Sequence, residues 1–230
     1  MARPRVFQYV KVILAKSGLR PSRFLAFLNG ILAFGRWLRH NQTPVILDDK
    51  IALYIYLKDE HLGNSAIDYL EFGVWKGATL KHWIGQNTNS ASRFFGFDSY
   101  EGLPEDWGHF ATIHKKGTFN LEGVLPEIGD PRVRLVKGLF QDSLVPFLVS
   151  YTPKNRLVIH CDADLYSSTL YTLTKLDEHI IPGTIIIFDE FFTVNHEFRA
   201  LEDYTRSYNR QYRVLTATSQ YAQLAIEILI

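Results

Sequence analysis

The 230-residue chain is 47% hydrophobic and 14% aromatic, enough to bury one substantial core. Lys and Arg number 25 against 24 Asp and Glu, and the net charge of +1 excludes a nucleic-acid partner held by bulk positive charge. The single cysteine, Cys161, cannot form an internal disulfide and lies in an apolar run, where a buried reduced thiol fits a cytoplasmic protein.

In chain order, the first 47 residues stand apart. Arg3, Arg5, Lys11, Lys16, Arg20, Arg23, Arg36 and Arg39 all precede the first acid, Asp48. The longest apolar stretch, Phe24 to Phe34, is interrupted by Asn29 and is too short to cross a bilayer, and no small-residue cleavage site accompanies it. We read residues 1–47 as a basic helical extension that covers a pocket or builds a homo-oligomer interface. A membrane-surface helix and an organelle transit peptide are the alternatives for so Arg-rich and acid-poor a segment.

From residue 48 onward the pattern predicts one α/β domain, residues 48–230. Strands are expected at Ile67 to Phe72, Arg93 to Phe97, Arg132 to Lys137, Arg156 to Cys161 and Gly183 to Phe188, with Gln211 to Thr216 and Ala222 to Ile228 closing the chain. Helical stretches lie near Gly77 to Gln86, Gln141 to Ser150, Ser167 to His179 and His196 to Tyr208, so the chain reads as five strands with intervening helices and a final strand pair. Continuous apolar runs such as Leu157-Val158-Ile159 and Ile185-Ile186-Ile187-Phe188 suit strands covered on both faces. The predicted fold is a doubly wound, Rossmann-like, mostly parallel seven-stranded sheet with a C-terminal antiparallel hairpin, preceded by N-terminal helices. The longest irregular region, Ser99 to Gly117 with Trp107, His109 and Phe110, is a candidate lid or acceptor wall; packing of the sheet edge is the alternative.

Position alone singles out a set of acids. Glu71 ends the first strand, Asp98 follows the second, Asp162 the fourth and Asp189 the fifth. In an open α/β sheet the ligand crevice lies outside the carboxyl ends of the strands, so these side chains converge on one pocket unless each merely caps a helix or turn. After the first strand, Gly73-Val74-Trp75-Lys76-Gly77 offers close backbone approach to a ligand, while Trp75 occupies the middle glycine position of a dinucleotide fingerprint and disfavours pyrophosphate. Asp98 suits the ribose hydroxyls of an adenosine-containing cofactor.

A second cluster, His160-Cys161-Asp162-Ala163-Asp164 together with Asp189-Glu190, supplies four carboxylates at neighbouring strand ends. Oxygen donors of this kind select a hard divalent cation such as Mg²⁺, which orients a substrate hydroxyl while a nearby carboxylate takes its proton. Solvated helix caps are the alternative, and His160, inside the strand, reads as a hydrogen-bonded core residue with an outer role at most. The same acids would also serve a metal-dependent hydrolase or phosphoryl-transfer enzyme, and the fold would serve a non-catalytic cofactor-binding protein.

Several separated blocks resemble the macrocin-type class I O-methyltransferases. They are Glu71-Phe72-Gly73-Val74-Trp75-Lys76-Gly77, Phe97 through Pro104, Asp162 through Thr169, and Pro182-Gly183 through Glu190. The resemblance implies an S-adenosylmethionine-dependent enzyme acting on a hydroxyl of a small molecule, a sugar or a natural-product or phenolic acceptor. It implies a cofactor site of Glu71, Phe72, Gly73, Gly77, Thr79, Asp98, Ser99, Phe140, Gln141 and Asp162, with Phe140 and Gln141 at the adenine. It further implies a cation held by Asp162, Asp189 and Glu190, and Asp164 as general base. Glu190 departs from the family pattern: macrocin relatives carry a second Asp there, and catechol-type enzymes an Asn.

Overall fold

Runs of β-branched and aromatic residues form the central sheet of the protein, and the amphipathic segments between them form its two outer layers. The computed structural model describes residues 5–17, 22–108 and 113–230. His109 and Phe110, two of the side chains named for the lid, lie outside the described residues, as do Arg3 and Arg20.

The elements are α1 (Arg5–Lys16), α2 (Arg23–His40), β1 (Ile46–Leu47), α3 (Lys50–Leu57), β2 (Ile67–Phe72), α4 (Ala78–Gln86), β3 (Arg93–Asp98), β4 (Trp107–Gly108), β5 (Ile113–His114), β6 (Val133–Lys137), α5 (Phe140–Ser150), β7 (Arg156–Cys161), α6 (Tyr166–Leu176), β8 (Ile185–Phe188), α7 (Glu197–Ser207), β9 (Tyr212–Thr218) and β10 (Leu224–Ile228). The main sheet runs β1-β9-β10-β8-β7-β2-β3-β6. All neighbours are parallel except β10, which is antiparallel to both β8 and β9. The seven expected strands and the closing antiparallel hairpin are present, and the two-residue β1 adds an eighth at the edge.

As expected of the irregular region from Ser99 to Gly117, no helix follows β3 among the described residues: residues 99–132 carry the short β4–β5 hairpin, and Gly102, Pro104, Gly108 and Gly117 break any helical period there. A helix absent from the sequence reading, α3, precedes β2 and continues through a π turn at Lys58–Leu62.

Alternate residues of each strand feed opposite layers. Leu70, Phe72, Ile159, Cys161, Ile186 and Phe188 pack with Phe147, Leu173, Phe198 and Leu201 of α5, α6 and α7. Tyr69, Val158, Ile185 and Ile187 pack with Leu53, Tyr54 and Leu57 of α3 and with Leu80 and Trp83 of α4. Burial on both faces explains the unbroken apolar runs.

Helix α2 is docked by one side. Trp37 is buried in the first of these layers, donates its indole N–H to the Tyr212 hydroxyl at 2.7 Å, and stacks on Phe34 at 5.8 Å. A Cβ at Gly30 would lie 2.6 Å from Val194 Cγ2, so a glycine there lets the helix approach. The outward row Leu25, Leu28, Ile31 and Leu32 is exposed, as are Tyr9, Val10, Val12 and Ile13 of α1. Among the described residues no helix is long and apolar enough to cross a membrane.

Strand succession places the functional region. From β2 the chain proceeds outward through β3 to β6, whereas β7 and β8 lie on the other side of β2. The reversal between β2 and β7 opens a crevice above their carboxyl ends.

Candidate active site

Three turns leave the sheet side by side at that crevice because the ladders run one residue past the strands. Gly73 N donates to Phe97 O at 2.9 Å, Asp162 N to Phe72 O at 2.9 Å, and Asp189 N to Cys161 O at 3.0 Å. These bonds set Gly73, Asp162 and Asp189 in adjacent positions. Gly73, at φ +101°, is required by that closeness, since a Cβ would sit 1.8 Å from the Asp162 carbonyl oxygen.

Above the turns lies a cavity of about 340 Å³. Gly73, Thr79, Asp98, Ser99, Phe140, Gln141, Asp162, Asp164, Asp189 and Glu190 all line it. Glu71, Phe72 and Gly77 do not. Glu71 and Phe72 are buried beneath its floor, and Gly77 starts α4 with φ +75°. Phe140 lies edge-on to Phe72 at 5.3 Å. Leu103, Pro104, Trp107 and Phe119 close one side. Trp107 stacks on His114 at 4.8 Å, Phe119 meets Trp75 at 5.5 Å, and Glu105 accepts from the Ser167 hydroxyl at 2.6 Å, which ties this flap to α6.

The two ends of the cavity differ in how their acids are held. Asp98 accepts the backbone N–H of Trp75 through Oδ2 and of Tyr100 through Oδ1, each at 2.7 Å. It thereby fastens the glycine turn to the end of β3. Trp75, Tyr100 and Asp164 have φ of 46°, 57° and 61°, a left-handed backbone that non-glycine residues adopt at a cost.

At the β7–β8 end the carboxylates face one another. Burial, then the neighbouring Asp189, pushes the Asp164 carboxyl up to about 7. Burial, then Asp189 and Asp164, pushes Glu190 up to about 7 as well. Asp162 is raised well above the usual carboxylate range by burial and then by Asp189, Glu71 and Asp164. Ligand atoms of His160, Asp162 and Asp189 lie within 4.8 Å of one another. The closeness of the Asp162 and Asp189 oxygens, beside acids raised by burial and then by their neighbours, matches the donor set of a hard divalent cation. The residues present therefore fit such an ion, with Glu190 lining the same cavity.

Several participants escaped the sequence reading. Lys50, the first residue of α3, lines the cavity and stands 3.5 Å from Asp189 Oδ2. Burial lowers its pKa, but Asp189, Asp162 and Glu190 outweigh that and raise it, so it carries a full charge. One turn later, Tyr54 donates to Asp189 Oδ1 at 3.2 Å. The signal was a Lys and a Tyr four apart in an otherwise apolar helix, which places both on one face.

A buried chain continues from there. The Tyr54 hydroxyl is 3.5 Å from His160 Nε2, and His160 Nδ1 is 2.7 Å from the Tyr69 hydroxyl, which donates to Glu71 Oε2 at 2.8 Å. With Tyr69 donating to Glu71, the Nδ1–H of His160 donates to Tyr69. Burial pushes His160 down to about 4, so the ring is neutral, and burial pushes Glu71 up to about 8 against the Tyr69 hydrogen bond. His160 is thus a hydrogen-bonded core residue facing Asp189, with Nε2 3.9 Å from Oδ1. Glu197, the first residue of α7, is fully buried and donates no sequence signal beyond its place after Asp189-Glu190.

The macrocin O-methyltransferase (TylF) family model matches residues 62–216. A Streptomyces olivaceus protein, 8-demethyl-8-(2,3-dimethoxy-alpha-L-rhamnosyl)-tetracenomycin-C 4'-O-methyltransferase, is 28% identical over 146 residues, 54% of this chain and 52% of that protein. The match thus spans about half the length of that relative. Among solved structures, the O-methyltransferase NovP superposes with a TM-score of 0.59 at 20% identity, covering 78% of this chain and 79% of NovP. The calicheamicin methyltransferase CalS11 gives 0.59 at 18% identity over 99% of this chain and 94% of its own. An O-methyltransferase from Bacillus cereus, in complex with SAH, gives 0.51 at 16% identity over 96% of each chain. At these identities the structural likeness is one of fold.

Proposed function

The chain belongs to the macrocin O-methyltransferase family, and on that premise we propose that it transfers a methyl group from S-adenosylmethionine to a hydroxyl of a sugar or other small natural-product acceptor in the cytoplasm. The observation that carries the reading is a single cavity with a glycine turn and Asp98 at one end and converging carboxylates at the other. Two ligands can meet there, one along β2–β3 and one over β7–β8.

In this reading Gly73, Thr79, Asp98 and Ser99 line the cofactor's path, with the Asp98 carboxylate at the ribose hydroxyls and Phe140 and Gln141 at the adenine. Glu71, Phe72 and Gly77 shape that path from below. Asp162, at the junction, borders both ligands. Asp162, Asp189 and Glu190 are the residues that would hold a divalent cation such as Mg²⁺, which when bound orients the acceptor hydroxyl and lowers its pKa. Lys50 then balances charge beside Asp189. As the hydroxyl oxygen forms its bond to the methyl carbon, the methyl–sulfur bond breaks and its electron pair stays on sulfur. Asp164 takes the hydroxyl proton, and its pKa of about 7 suits a base working near neutrality. Catalysis of such an in-line displacement rests mainly on alignment of donor and acceptor.

Residues 1–47 are assigned to an extension of the catalytic domain 48–230. Its exposed row on α2 is assigned to self-association, with contact to a membrane surface as the outcome that a monomer in solution would favour.

The test is calorimetric titration of the full chain with S-adenosylhomocysteine, followed by a mass screen of sugar and phenolic acceptors with S-adenosylmethionine and Mg²⁺. Binding and the gain of one methyl by an acceptor are expected. Absence of S-adenosylhomocysteine binding by folded protein ends the methyltransferase reading.

A further inference from the structure

Glu197 is a carboxylate that the proposed chemistry leaves unused, although it lies against the same acids. It opens α7, where a negative charge complements the helix dipole, but an acid serving only that purpose sits at the surface. Glu197 is fully buried instead. Its Oε2 accepts the backbone N–H of Glu190 at 2.9 Å, while its Oε1 is enclosed and has no hydrogen-bond partner. Enclosing an acceptor without a partner is unfavourable, and more so if it is charged. Asp189, Asp164 and Glu190 act on it electrostatically, all with the same sign.

Each of these features makes sense if a cation stands among the acids. The bond to Glu190 N–H holds the backbone at the position where this chain departs from the family pattern, and a cation among those acids offsets their repulsion on Glu197. We infer that Glu197 is a positioning residue of the cation site: it anchors the Glu190 backbone through Oε2 from behind the cavity wall, and its buried carboxylate is tolerated because a cation stands among the neighbouring acids. The inference rests on the reading that Asp162, Asp189 and Glu190 hold a divalent ion, and it adds a carboxylate that supports that set from behind. Residues that hold a ligand's backbone in place tune metal affinity without touching the ion.

The probe is Mn²⁺, titrated calorimetrically into the full-length wild type and the Glu197→Gln variant, with S-adenosylhomocysteine titrations and thermal melts with and without Mn²⁺. Gln preserves the shape and an acceptor for the Glu190 N–H but removes the charge. Mn²⁺ affinity is expected to fall roughly 10- to 100-fold, as for outer partners of metal ligands. S-adenosylhomocysteine affinity is expected to stay unchanged. Without Mn²⁺ the variant should melt at or above the wild-type temperature, since an uncompensated buried acid is gone, and the gain on adding Mn²⁺ should shrink. A purely structural residue would instead lower the melting temperature in both conditions. Unchanged Mn²⁺ affinity, or a lower melting temperature with and without the ion, overturns the inference. If wild type binds S-adenosylhomocysteine but not Mn²⁺, the cation reading falls and this inference with it, whereas the cofactor reading stands. Should Glu197→Gln not fold, Glu197→Asp withdraws the charge by one methylene, and unchanged Mn²⁺ affinity in that variant is equally decisive against it.

Discussion

Asp68 and Asp162 lie at opposite ends of neighbouring strands, and their surroundings have little in common. Asp68, fully buried near the amino end of β2, accepts from Arg93 Nε at 2.9 Å, a second Arg93 nitrogen, Lys154 N at 2.9 Å, Asn155 Nδ2 at 2.9 Å and the Tyr151 hydroxyl at 3.2 Å. Burial alone would raise its pKa, but these donors outweigh burial and hold the carboxyl below the usual range. At the carboxyl ends Asp162, Asp164, Glu190 and Glu197 are all raised, by burial and then mainly by the charge of Asp189, with Lys50 a nearby cation. The contrast teaches that this fold can complete a buried carboxylate where it is structural. Acids left incomplete mark the place where something else binds.

The comparison is sharpened most by Asp164→Asn. Turnover is expected to fall about 100- to 10,000-fold through loss of the base, while S-adenosylhomocysteine affinity and melting temperature hold; product formation and calorimetry measure both. Full turnover in the variant removes Asp164 from the proposed chemistry.

At the other end, Asp68→Asn should do the reverse. It leaves the Arg93 guanidinium without its opposite charge and should lower stability by roughly 3 kcal/mol, read by urea unfolding, with activity per folded molecule retained. The pH dependence follows from the sign of the shift. The folded pKa of Asp68 lies below its unfolded value, so its contribution is complete above about pH 4 and is lost as pH falls through the folded value. The stability gap between wild type and Asp68→Asn should thus be constant near neutrality and narrow in acid; a gap that widens in acid would contradict the assignment.

The smallest effect is expected from removing residues 1–21. The described side chains of α1 are exposed, so the melting temperature should move by no more than about 2 °C, while light scattering reports whether the extension holds copies together. Removing α2 as well would strip Trp37 from the core and should cost far more.

Much of the fold was legible before any coordinates. Runs such as Ile185 to Phe188 read as two-sided strands because apolar residues on both faces have no other stable place. The acids following strands were legible as a group because a residue just past a parallel strand projects beyond the sheet's carboxyl edge. Lys50 and Tyr54 were not, since α3 lies in the layer across the sheet and meets Asp189 only through the packing of Leu53, Tyr54 and Leu57. The helix α3 before β2 was missed because its short apolar run, Ile51 to Leu57, carries little polar periodicity to mark a helix. Glu197 carries no signal in the sequence beyond its place in a predicted helix, and only its burial distinguishes it.

By itself, then, the sequence determined the strands, the glycine turn, the acid positions and the resemblance to a family, because each depends on residues close together in the chain. Tertiary structure alone decided which acids are completed and which repel. Charge balance inside a protein depends on who the neighbours are and how much water remains, and at this site Lys50, Tyr54, Asp162, Asp189 and Glu197 come from elements far apart in the chain.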